Sequence, residues 1–176
     1  MDSYALFKQA DRLVRGCGTR DPLAIAGEIG VITMDEPGFT HLLGMYTVLQ
    51  RNRYIFLNPK MNEYWRAMVA AHELGHDQRH RDLARNDALQ EFVLFNLKNR
   101  TEYEANAFAA HILIDNDDVY DLGRQGYDIV EISAMLNSHI NLMLIKIHEM
   151  NQIGYNLRIP CCPDGQFLRK IDGSEM

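Results

Sequence analysis

The chain has 176 residues, 47% of them hydrophobic and 24% charged, with a formal net charge of −6 at neutral pH. That balance is ordinary for a soluble globular protein long enough to bury a core, and the acidic excess argues against a sequence-independent nucleic-acid binder, which needs a basic face. No apolar run approaches the roughly 20 residues that span a bilayer, and Met1-Asp2-Ser3-Tyr4-Ala5 lacks the basic-then-apolar pattern of a signal peptide, so a cytoplasmic protein with no membrane partner is expected.

In chain order, residues 3–15 place Tyr4, Leu6, Phe7, Leu13 and Val14 at helical spacing, and Gly16-Cys17-Gly18 breaks the pattern. Asp21-Pro22 reads as an N-cap followed by proline at the first helical position, opening a helix to about Glu28 that Gly30 ends. Val31-Ile32-Thr33-Met34 is a short strand, and Asp35-Glu36-Pro37-Gly38 a turn. Residues 45–50 and 53–57 are β-rich and read as a hairpin around Arg51-Asn52. A long helix is expected from about Asn62 to His80, with Trp65, Met68 and Val69 on its buried face and small Ala71 and Gly75 admitting the neighbouring sheet.

The stretch 82–98 is mixed, with Leu89, Phe92, Val93, Phe95 and Leu97 as packing candidates. A second strong helix runs from about Arg100 to Leu113, and Asp115-Asn116-Asp117-Asp118 reads as an acidic loop. Two more helical stretches, about 128–137 and 139–151, form a pair expected to pack or to dock a partner; Lys146 alone gives its second helix too little basic character for DNA. Residues 1–159 are expected to form a single domain, and 160–176 a loosely structured tail. Cys17 and the adjacent Cys161-Cys162 suit a reducing compartment and offer neither a disulfide framework nor a C-x-x-C metal spacing.

His72-Glu73-Leu74-Gly75-His76 carries the chemistry. Histidines four apart stand one above the other on a helix, close enough to share a tetrahedral metal ion. The intervening glutamate is offset around the axis and can act as a general base without ligating, so the motif points to a zinc peptidase. A third ligand is sought in Thr101-Glu102-Tyr103-Glu104-Ala105-Asn106. Glu102 and Glu104 lie about 200° apart on a helix and cannot bind one ion together. Glu102 is favoured, because Asn106 one turn on can accept a hydrogen bond from a ligand histidine; Glu104 is the alternative, with His80 or His111 behind it. His80 reads as a surface or capping residue, and Tyr120 as a packed or exposed loop tyrosine.

The run Arg53-Tyr54-Ile55-Phe56-Leu57-Asn58, then Ala70-Ala71-His72-Glu73-Leu74-Gly75-His76, then Glu102-Tyr103-Glu104-Ala105-Asn106-Ala107-Phe108-Ala109-Ala110 resembles the ImmA/IrrE family of metallopeptidases, over roughly residues 20–155. The resemblance implies an α+β fold: a compact, mostly helical zincin-like domain with a small three-stranded sheet packed on the motif helix. It implies zinc, with manganese tolerated by the same donors, on His72, His76 and the helix glutamate, and Glu73 as base. It also implies cleavage of a helix-turn-helix transcriptional repressor of a mobile element, phage or stress regulon, by a protein that does not itself bind nucleic acid. A non-proteolytic zinc protein acting by stoichiometric binding to a repressor is the alternative. An extended substrate is expected along a sheet edge near residues 45–57. One departure from the family stands at Leu113-Ile114-Asp115-Asn116, where members often have an L-L-x-P exit.

Overall fold

A computed structural model describes residues 2–85, 88–91, 95 and 99–158. The chain opens with α1 (Ser3–Cys17), capped by the Asp2 side chain on the Ala5 amide and closed by Gly18 at φ 66°. Asp21 caps α2 (Pro22–Glu28) as its residue type predicts. Strand β1 (Val31–Asp35) runs parallel to β3 (Asn52–Leu57), which pairs antiparallel with β2 (Gly44–Leu49). The hairpin turn is Gln50-Arg51, one residue earlier than expected. Register pairs Leu49 with Asn52, and both turn residues take left-handed φ, 48° and 68°. Asparagine is the commoner occupant of such a turn, which is why the sequence signal pointed one position late.

The three expected strands are joined by a short fourth, β4 (Leu89–Glu91), which pairs antiparallel with β2 and gives the order β1-β3-β2-β4. This narrows the expected substrate edge. Strand β3 is paired on both sides, and β4 covers β2 from Gly44 to Tyr46. Phe95 is buried and Leu89 half-buried; Phe92, Val93, Leu97 and the tail with Cys161 and Cys162 lie outside the described residues.

Helix α3 (Glu63–Arg79), capped by Asn62, packs one side on β2 and β3 and another on α5 (Arg100–Leu113). It is buried without interruption from Met68 to Asp77. Gly75 makes this possible, but toward α5 and not the sheet: a Cβ there would lie 2.9 Å from both the Cα and the carbonyl oxygen of Ala105. A short helix, α4 (Arg81–Ala84), follows α3 directly. Behind α5 lie α1 and α8 (Ile140–Gln152), so the central helix packs mainly among helices, with α3 between it and the sheet.

The acidic stretch at 115–118 is not a loop. Asp115 accepts the Asp117 amide and caps α6 (Asn116–Arg124), whose first turn holds Asp117 and Asp118. Carboxylates are favoured there because unpaired amides and the helix dipole make that end positive. Tyr120 therefore sits in α6, edge-on to Tyr155 at 5.6 Å, as a packing residue. A reciprocal capping box between Asp128 and Glu131 starts α7 (Ile129–Met135), which packs on α8. Among the described residues no helix is long and apolar enough to cross a membrane.

Candidate metal centre

His72 and His76 stand one turn apart in α3 on the side facing α5, fully and almost fully buried. Their Nε2 atoms are 3.0 Å apart. From the first turns of α5 the Glu102 carboxylate reaches both, with Oε2 3.3 Å from His72 Nε2 and Oε1 3.6 Å from His76 Nε2. Ligand atoms about 2.0–2.1 Å from a tetrahedral ion stand roughly 3.3–3.4 Å from one another. The observed separations bracket that value, and the donors, two imidazoles and one carboxylate, are those of a catalytic zinc site with one position left for another group. These residues fit a divalent ion. No other group of three histidine, cysteine or acidic side chains converges in this way among the described residues.

The protonation states suit the same purpose. Burial pushes the His76 imidazole down to about 4, against a smaller opposing pull from Glu102. Burial works against ionisation of Glu102, but the adjoining His72 and His76 rings outweigh it and hold the carboxyl well below its usual range. Near neutral pH the His76 ring is thus neutral and Glu102 ionised, the forms that donate electron pairs to a metal.

A second layer of groups orients the rings. His72 Nδ1 lies 3.1 Å from Asn106 Oδ1; only an N–H can satisfy an amide oxygen, so His72 carries its proton on Nδ1 and presents Nε2 as a lone pair. His76 Nδ1 is 3.1 Å from Nδ1 of His80, whose Nε2 faces Glu104 Oε2 at 3.5 Å. Glu104 is held in turn by Arg100 Nε at 2.8 Å and flanked by Arg79 at 3.6 Å. Those cations and His80 bring its carboxyl below the ordinary value even though burial opposes them.

The two glutamates of α5 therefore divide. Glu102 meets the histidine pair, while Glu104, the alternative from sequence, lies behind His80. His80 caps α3 but is only 7% exposed, so it is not a surface residue. This row behind His76 escaped sequence reading because its partners come from different helices. His111, the other alternative, points away and meets the Lys146 ammonium at 3.2 Å.

Glu73 is completely buried, and its carboxylate lies under the first residue of β2: a Cβ on Gly44 would stand 2.7 Å from Glu73 Oε1 and 2.5 Å from Val69 Cγ1. Gly44 is a site residue that sequence reading missed, since a lone glycine at a strand start carries no distinctive pattern. One helical turn before His72, Met68 lines a cavity of about 660 Å³ shared with Leu113, Ile114 and Leu142. The departure at Leu113-Ile114 thus falls on the wall of a cavity.

Comparison with known proteins agrees with this architecture. Residues 28–147 match the family model of peptidase M78, the IrrE N-terminal-like domain. The chain is 31% identical over 133 residues to "Uncharacterized immunity region protein 2" of Bacillus phage phi105, a match covering 75% of this chain and 83% of that protein. The matched span takes in the sheet, both helices that carry the converging histidines and glutamate, and most of α8. The chain belongs to the peptidase family of IrrE N-terminal-like domains.

Proposed function

We propose that the protein is a metal-dependent endopeptidase whose substrate is a helix-turn-helix transcriptional repressor, in a phage, mobile-element or stress setting. The single observation that carries the hydrolytic reading is the convergence of His72, His76 and Glu102 beside a buried glutamate one residue from the first histidine. The immunity-region name of the phage relative supports the regulatory setting.

His72, His76 and Glu102 would hold the ion, zinc being the one this donor set suits best, and it would supply Lewis acidity and a water acidic enough to react near neutral pH. Glu73 takes a proton from the water as its oxygen attacks the scissile carbonyl carbon. The same carboxyl then delivers that proton to the departing amide nitrogen as the C–N bond breaks, leaving a carboxylate and an amine. Burial of Glu73 under Gly44 limits its motion, so its carboxylate serves as an oriented acceptor. Asn106 and His80 keep the two rings turned toward the centre. The cavity at Met68 and Leu113 would take an apolar substrate side chain.

The test incubates wild type and Glu73→Gln with the repressors encoded beside this gene and weighs the products. Glu73→Gln preserves volume but removes the proton acceptor, so it should keep metal and fold while cleavage falls by about 10²–10⁴-fold. Fragments at equal rates from both proteins would overturn Glu73 as base. Relief of repression by both, with no fragment from either, would establish stoichiometric binding in place of proteolysis.

A further inference from the structure

Away from the histidines, the β2–β3 hairpin and α4 bring four arginines around one cavity of about 560 Å³. Arg51 stands in the turn and Arg53 two residues on in β3; Arg81 and Arg85, four apart, share one face of α4 and its cap. Val48, directly opposite Arg53 in the sheet, forms the apolar wall. Among the described residues two carboxylates pair with them. Asp77 is fully buried behind the cavity and already accepts Tyr46 Oη at 2.8 Å, Gln78 at 2.6 Å, Arg53 at 2.9 Å and Arg81 at 3.3 Å. Asp82 is open to water and pairs with Arg85 at 2.9 Å.

Among the described residues, four guanidinium groups against these two carboxylates leave a local excess of two positive charges in a chain whose net charge is −6. Donors are also left over. Among the described residues Arg51 makes no hydrogen bond or ion pair, and the buried Nε of Arg81 has no hydrogen-bond partner. Arg51 moreover occupies a left-handed backbone position, φ 68°, where arginine is disfavoured.

We propose that this cavity is an exosite for an acidic segment of the protein substrate, two or more aspartate or glutamate side chains received by Arg51, Arg53, Arg81 and Arg85. Guanidinium groups match carboxylates with paired, directional hydrogen bonds. A cluster of four guanidinium groups suits a few carboxylates better than the continuous backbone of a nucleic acid, which a chain of net charge −6 repels. Asp77, which anchors Arg53 and Arg81, follows His76 directly in α3, so a segment held here is tethered to the helix that carries Glu73. Tethering raises the effective concentration of the scissile stretch at the centre. That the occupant is a substrate rests on the peptidase reading; the anion site itself does not.

The experiment measures fluorescence anisotropy of a labelled eight-residue Asp/Glu peptide with full-length Glu73→Gln protein at low salt. Binding is expected, weakening as salt rises and falling on the order of tenfold when Arg51→Glu and Arg85→Glu are added. Both side chains are exposed, so the variant should unfold at an unchanged temperature. No binding, binding unaltered by the two charge reversals, or displacement by a single-stranded oligonucleotide at lower concentration than by unlabelled acidic peptide would overturn the exosite. Because the readout needs no cleavage, peptide binding intact beside a total absence of repressor fragments would sink the peptidase reading alone.

Discussion

At the scale of single residues, the difference between Glu102 and Glu104 is one of helical phase. Two positions in α5 turn one carboxylate toward the histidine pair and the other toward Arg100 and His80. Glu102→Ala should therefore abolish tight metal binding. Glu104→Ala should weaken it modestly, and His80→Ala by about 10–100-fold, the usual cost of removing a group that orients a ligand. Competition with a chromophoric chelator gives the ranking; tighter retention by Glu102→Ala than by Glu104→Ala would reverse the geometry. The spacing of His72 and His76 and the stripe joining Glu102 to Asn106 were legible because both lie within one helix, where 3.6-residue periodicity dictates neighbours. His80 was not, since its burial depends on Glu104 from another helix. Gly44 was not legible either, since nothing in the strand announces what passes beneath it.

Among the elements, the α3–α5 pair sets the distance across the centre, and Gly75 sets the distance between those helices. Gly75→Ala would drive a methyl group into the Ala105 backbone, which cannot swing aside as a side chain can. A loss of about 1–3 kcal/mol is expected from overpacking of this kind, measured by urea unfolding, with metal affinity falling in parallel as Glu102 retreats. Unchanged stability would show that the helices have room to spare. The helices and strands themselves could be read from capping residues and periodicity, as at Asp21-Pro22 and Arg100–Leu113. The failures share a cause: Asp115 to Asp118 looked like a loop because acidic clusters often are, while the same residues suit a helix N-terminus.

Helix α8 adds a pH response. Lys146 is buried against His111 of α5, and burial, helped by Arg20 and opposed by Asp115 and Asp11, brings its ammonium down to about 7. Burial likewise lowers His111 to about 2, leaving it neutral. An unfolded lysine holds its proton to about 10.4. Between the two values the unfolded chain binds more protons, so stability should rise with pH from about 7 to about 10. Below about 7 the cost of charging a buried amine is present in full. Lys146→Met should flatten that rise in thermal unfolding across the same window; an undiminished slope would place its origin elsewhere.

Across the whole molecule, the sheet, α3 and α5 are separate units of the chain that meet at His72, His76, Glu102 and Glu73. A shared ion would fasten α3 to α5 as well as serve chemistry, so binding and folding are linked. The measurement that tests the central claim most directly is metal content by elemental mass spectrometry, paired with thermal unfolding, for wild type, Glu73→Gln and the double variant His72→Ala/His76→Ala. Wild type and Glu73→Gln should each carry about one divalent ion per chain and lose thermal stability on chelation, while the double histidine variant should carry none and ignore the chelator. Metal retained in full by the double variant, or a wild type that takes up no divalent ion when supplied with one, would contradict the account.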